Sequence, residues 1–104
     1  MSERERQLAG GEWRVTVGGE TTSAVFEPPS AGEGQDAGIV FVFAHGAGGN
    51  MNDRGVFQTA NVLRARGIGV VRFNFLYREK KSGRPDAMPR LEECYRAVVA
   101  RVRE

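Results

Sequence analysis

The stretch FVFAHGAGGN, residues 41–50, decides the fold. An apolar run, Val40, Phe41, Val42, Phe43 and Ala44, ends at His45 and a burst of glycine. Residues 38–44 are apolar without alternation and rich in β-branched and aromatic side chains. That pattern predicts a strand buried on both faces, as in a parallel sheet. His45 is the only histidine in the chain. Whether it serves as a catalytic base, a metal ligand or a backbone support governs the functional reading.

Upstream, Trp13, Val15 and Val17 alternate with Arg14 and Thr16, which predicts a half-buried strand. Gly18-Gly19 is a turn signal. Ala24, Val25 and Phe26 lie in a second strand stopped by Pro28-Pro29, so the two strands form a hairpin. Residues 28–38 read as a flexible polar loop. Downstream, Val56, Phe57, Ala60 and Leu63 recur at helical spacing, with Asp53 as N-cap and Gly67 as the stop. Residues 68–75 read as a strand and 76–88 as a basic loop bearing Gly and Pro. Leu91, Cys94, Tyr95, Val98 and Val102 mark a final amphipathic helix with Pro89 near its start. The expected order is β-β-β-α-β-α. The central β-α-β is expected to be a right-handed crossover joining parallel strands, which makes the fold class α/β. Residues 1–10 read as a polar tail and 11–104 as one domain portion.

Composition narrows the function classes. A chain of 104 residues with 40% hydrophobic and 27% charged content reads as a single small globular domain. The net charge is +2 and the pI about 9.1, too weak a basic balance to point to nucleic acid. Cys94 is the only cysteine, so a cytoplasmic location is expected. The N-terminus carries no apolar signal segment, and the apolar run of residues 39–44 is too short to span a bilayer, so no membrane partner is expected.

The loop His45-Gly46-Ala47-Gly48-Gly49 stands between a strand end and a helix start. In an open α/β sheet, ligands bind at the carboxyl ends of the strands. Small residues there let backbone N–H groups approach an anion, with help from the helix N-terminus. A dinucleotide fingerprint needs a third glycine where Met51 stands, and no Gly-Lys-Ser/Thr ending is present for a P-loop. One histidine without neighbouring Cys or His makes no ligand cluster. Neither a metal nor a cofactor is therefore expected. An oxyanion loop remains, of the kind that α/β hydrolases place after their third strand with HGGG-type sequences.

On HGAGG after the third predicted strand, and on the arginine-bearing strand VVRFNF at 70–75, the chain resembles the α/β-hydrolase superfamily. In detail it is similar to small dienelactone-hydrolase-like bacterial proteins, related to a KANSL-type group of hydrolase-like proteins. The resemblance covers roughly residues 12–104. It implies the N-terminal part of an α/β-hydrolase fold, with the Ala47 N–H as one oxyanion donor. His45 and Gly46 would shape the loop, and His45 would not be the base of a catalytic triad. Serine esterases or thioesterases of this kind act on small ester or acyl substrates.

Family members carry a G-x-S-x-G elbow followed by Asp and His. Ser2, Ser23, Ser30 and Ser82 do not sit in that pattern, and no histidine follows His45. The chain is therefore expected to represent the oxyanion-loop half of a hydrolase and to be inactive alone. In the family's sheet order the third strand would then be an exposed apolar edge at 39–43. Such an edge invites self-association or a partner chain.

Gly48, Gly49, Asn50, Arg72, Asn74 and Tyr77 complete the expected substrate-binding set. Each has a plainer reading. Asn50, Asn52 and Asp53 suit a turn and cap. Arg72 suits a snorkelling side chain paired with a helix carboxylate. Arg78, Lys80, Lys81, Arg84 and Arg90 suit a solvated loop. Cys94 suits an inert core thiol, and Phe57 and Phe73 suit core positions. The rival function is a non-catalytic module that binds an anion through the glycine loop and basic segment, or a partner strand through its edge. A pseudoenzyme fragment is the third alternative.

Overall fold

The alternation around Trp13 forms β1 (Gly11–Val17), paired antiparallel with β2 (Glu20–Glu27) from Val17↔Glu20 to Gly11↔Phe26. Gly18, at φ +62°, supplies the left-handed residue that a two-residue hairpin turn needs. The computed structural model describes residues 11–30 and 36–104. The expected polar tail at 1–10 and residues 31–35 of the polar loop lie outside them.

β3 (Ile39–Ala44), α1 (Arg54–Ala65), β4 (Ile68–Phe73), the short α2 (Leu76–Glu79) and α3 (Met88–Val102) follow. The strand order is β1-β2-β4-β3. β4 runs antiparallel to β2 and parallel to β3, so the hairpin and the crossover unit share one sheet. Successive β4 side chains point to opposite faces. Val71 and Phe73 join Val15, Val17, Ala24 and Phe26 beneath Cys94 and Val98 of α3. Arg72 faces the other way, its guanidinium 4.2 Å from the Phe57 ring of α1. Helices thus cover both faces, which is why β4 is buried from Gly69 to Phe73.

The helix signals act as expected at one end and differently at the other. Gly67, at φ +86°, ends α1 with its N–H on the Arg64 carbonyl at 3.0 Å. Asp53 occupies the N-cap position, but its carboxylate makes no bond to the helix. It accepts the Asn50 N–H of the preceding loop instead, at 2.9 Å.

Four expectations are corrected. The strand expected over 68–75 stops at Phe73. The Asn74 N–H still reaches the Ser23 carbonyl at 3.1 Å. Its own carbonyl receives the Thr22 hydroxyl at 2.6 Å and the Cys94 thiol at 3.8 Å, so side chains replace the next ladder bond. The loop expected over 76–88 begins as α2, because Leu76 and Tyr77 are an apolar pair that buries among basic neighbours. Phe57 is 37% exposed beside Arg72, since the buried face of α1 belongs to Val56 and Ala60.

The fourth correction is β3, expected to be buried on both faces: none of its residues is buried, because among the described residues it pairs only with β4. Ile39, Val40 and Phe41 remain 55%, 41% and 47% exposed.

Phe73 is fully buried where β2, β4 and α3 meet. Phe73→Ala is expected to cost about 3–5 kcal/mol, a large fraction of the stability of a domain of this size, and urea denaturation followed by circular dichroism measures it.

Candidate active-site loop at the carboxyl ends of the parallel strands

The glycine loop leaves β3 at His45, and each residue there answers a different demand. The Gly49 N–H returns to the Gly46 carbonyl at 3.0 Å, closing a four-residue turn with Ala47 and Gly48 at its centre. Gly48 has φ +76°, the left-handed value needed at the third residue of a type II turn. A Cβ on Gly49 would stand 2.2 Å from Asp53 Oδ2, so glycine lets the carboxylate reach the loop backbone. Asn50 Oδ1 accepts the Asn52 N–H at 2.7 Å, and the Asn50 carbonyl accepts the Asp53 N–H at 3.2 Å.

His45 is 5% exposed. Its Nε2 accepts the Phe75 N–H at 3.1 Å, and its Nδ1 lies 2.9 Å from the Gly46 carbonyl. An Nε2 that accepts leaves the ring proton on Nδ1, which donates to Gly46 O. The ring also packs edge-on against Phe75 and Tyr77. Both nitrogens are therefore engaged with backbone, one on each strand end.

β4 supplies the other supports. Met51 donates its N–H to Asn74 Oδ1 at 2.9 Å and receives Arg72 Nη1 on its carbonyl at 2.6 Å. Arg72 also meets Asn52 Oδ1 at 3.1 Å and Glu27 Oε1 at 2.6 Å. At 5% exposure its guanidinium faces protein partners. The plainer reading is corrected: Arg72 is buried and does not snorkel, and its carboxylate partner stands on β2, not on a helix. Tyr77 is 3% exposed and stacks on Phe75. Ala47, Gly46 and Gly48 are exposed at the loop tip. Among the described residues, the Ala47 N–H has no protein acceptor. Because Asp53 turns to Asn50, the first-turn N–H groups of α1 have no side-chain cap beside this loop.

Sequence reasoning missed one cluster. Glu79 Oε1 accepts Ser23 Oγ at 2.7 Å and Arg14 Nη1 at 2.6 Å, while Glu79 Oε2 accepts Asn74 Nδ2 at 2.9 Å. Burial pushes the Glu79 carboxyl up, but the bonds from Ser23, Asn74 and Arg14 outweigh it and hold it below the ordinary range. The signal was weak: Ser23 and Arg14 share one face of the hairpin, but nothing local says that residue 79 reaches them. Two of the five residues of the expected basic cluster are paired with carboxylates among the described residues. Lys80 meets Glu20 at 2.7 Å, and Arg90 bonds Glu20 and Glu93. Lys80 and then Arg90 hold the Glu20 carboxyl low.

The model of the alpha/beta hydrolase domain matches residues 37–104, more than half of the chain. The chain belongs to the alpha/beta hydrolase family. No curated protein sequence matches it. Among solved structures, it is similar to an alpha-beta serine hydrolase homologue from Coxiella burnetii. That likeness has 25% identity and a TM-score of 0.73, covering 88% of this chain and 44% of that one. A serine hydrolase without a lid from Xanthomonas campestris is 26% identical with a TM-score of 0.70, over 90% of this chain and 44% of that one. Est1E from Butyrivibrio proteoclasticus shares the fold at 15% identity and a TM-score of 0.72, over 90% and 35%. This alpha/beta hydrolase chain thus spans less than half the length of the structures it matches. Among the described residues, no helix is long and apolar enough to cross a membrane.

Two outcomes follow for this part of the domain. A carboxyl held low when folded stabilises the fold above its unfolded pKa, and the contribution is lost as pH falls through the folded value. Stability should therefore fall below the ordinary carboxylate value of 4.5. Glu79→Gln should lose about 1–3 kcal/mol near neutrality and flatten the acid limb, read from urea midpoints across that range. Cys94 is 1% exposed, and burial pushes its thiol up to about 11. It should resist thiol reagents in the native chain and react once urea unfolds it.

Proposed function

We propose that this chain is the oxyanion-loop portion of a serine esterase- or thioesterase-like hydrolase. The observation that carries the reading is the Gly46–Gly49 turn at the carboxyl end of β3. Among the described residues, it leaves the Ala47 N–H without a protein acceptor, beside a helix start with no side-chain cap. A backbone N–H so placed can donate to the oxygen that gains charge when a nucleophile attacks an ester carbonyl. A turn locked by Gly46, Gly49 and Asp53 needs no rearrangement at that moment. Family membership and the serine hydrolases among the similar structures support this reading.

In this reading His45 and Gly46 shape the loop, with His45 joining the ends of β3 and β4. Gly48, Gly49 and Asn50 form the rim beside the acyl group. Arg72, Asn74 and Tyr77 act from behind it: the first two hold Met51, and Tyr77 packs on the His45 ring. The nucleophile and its base come from residues outside these 104. Ser23 donates its hydroxyl to Glu79, and the chain's one histidine, His45, is bonded to Gly46 and Phe75 instead. The anion-binding alternative is less well supported, because Lys80 and Arg90 of the basic segment are already paired with carboxylates.

Residues 1–104 alone are expected to give no saturable hydrolysis of p-nitrophenyl acetate, and a fluorophosphonate probe should label none of the four serines. Saturable turnover that survives Ser→Ala at Ser2, Ser23, Ser30 and Ser82 overturns the reading. In a polypeptide that carries these residues together with a G-x-S-x-G segment, Ala47→Pro removes the donor at a turn position that favours proline. The expected result is a kcat lower by about 10²–10³-fold with KM little changed. An unchanged kcat in the folded variant removes Ala47 from the oxyanion hole.

A further inference from the structure

Each polar atom of Asn74 has a partner, and the partners come from different parts of the fold. Its backbone N–H and carbonyl are tied to Ser23 and Thr22 of β2 and to Cys94 of α3. Its side chain bridges the glycine loop and α2. Oδ1 accepts the Met51 N–H at 2.9 Å, and Nδ2 donates to Glu79 Oε2 at 2.9 Å. With the backbone held, the freedom left to this side chain is a turn of the amide that exchanges Oδ1 and Nδ2. Only one of the two orientations offers Met51 an acceptor.

We propose that Glu79 is a positioning residue for the glycine loop, fixing through Asn74 the amide orientation that holds Met51. The two carboxylate oxygens have separate partners. Oε1 takes Arg14 Nη1 at 2.6 Å and Ser23 Oγ at 2.7 Å, which ties the group to the hairpin. Oε2 faces Asn74. The carboxyl is held below its ordinary range, so near neutrality it carries no proton and can only accept. An acceptor at Oε2 selects Nδ2 of Asn74, and Oδ1 is then turned to Met51. Met51 is 8% exposed, so its N–H has little access to water in place of that oxygen. A carboxylate on α2, oriented by the hairpin, thus decides whether the exit of the loop is fastened. The hold on Met51 is a property of the fold, and its bearing on catalysis rests on the hydrolase reading.

Amide hydrogen exchange of the 104-residue chain, followed by heteronuclear NMR, tests the positioning. In Glu79→Gln, Arg14 and Ser23 keep the remaining oxygen, and the new amide nitrogen faces Asn74. Asn74 then turns its oxygen to position 79 and its nitrogen to the Met51 N–H, donor against donor. Exchange at Met51 should rise by about tenfold more than at the amides of β4. The comparison with β4 matters because a general loss of stability moves both. Asn74→Asp combined with Glu79→Gln returns an acceptor to Met51 at the same net charge. The carboxylate introduced at position 74 accepts from Met51 on one oxygen and from the amide at position 79 on the other. This double variant should recover the wild-type protection of Met51, a result that a folding defect in Glu79→Gln does not produce. Met51 exchange that follows β4 in Glu79→Gln, or protection not recovered in the double variant, overturns the proposal. If Met51 responds as expected while Ala47→Pro leaves kcat unchanged in the longer polypeptide, the positioning role stands and the hydrolase reading falls.

Discussion

Met51 is held from both sides by the end of β4. Asn74 takes its N–H and Arg72 takes its carbonyl. One residue further on, the Phe75 N–H reaches His45 at the start of the same loop. The glycine loop is thus fastened at entry and exit by residues from one short stretch of β4 and its end. The rest of the site depends on this. A loop with so many glycines carries a large conformational entropy, and fixed anchors at both ends are what select one turn from many. The parallel pairing of β3 with β4 places those anchors, since Phe43↔Arg72 and Ala44↔Phe73 are in register.

The anchors are themselves polar groups in a low-dielectric layer, and their partners explain why they are tolerated. Arg72 would be costly to bury alone. It is paired with Glu27 of β2, covered by the Phe57 ring, and satisfied by the Met51 and Asn52 oxygens. Asn74 spends its amide on Glu79, which Ser23 and Arg14 also hold. The hairpin β1–β2 therefore does more than extend the sheet. Through Glu27 and the Ser23–Glu79 cluster, it supports the strand end that supports the loop.

Much of this was legible in the residues. The alternation around Trp13 and the helical spacing from Val56 and from Leu91 each carry a local period, and each became the element it implied; the unbroken apolar run before His45 became a strand, but not the buried one it implied. The positions where glycine is needed were also readable, because turn chemistry is local. What could not be read were contacts set by the crossover and the hairpin. Glu79 reaches Ser23 across 56 residues of sequence, and Arg72 reaches Glu27 across 45. No period or motif links such pairs. The same distance explains α2 and Phe57. Whether Leu76 buries or Phe57 stays outside depends on the neighbouring layer.

By itself, then, the sequence determined the α/β class, the hairpin, the position of the glycine loop and its likeness to hydrolases, since all of these rest on local patterns of polarity and backbone freedom. Only the tertiary structure decided that β2 pairs with β4 and that His45 spends both nitrogens on backbone. Strand order and side-chain partners are settled by long-range packing, and the closing of the loop leaves the histidine no free nitrogen.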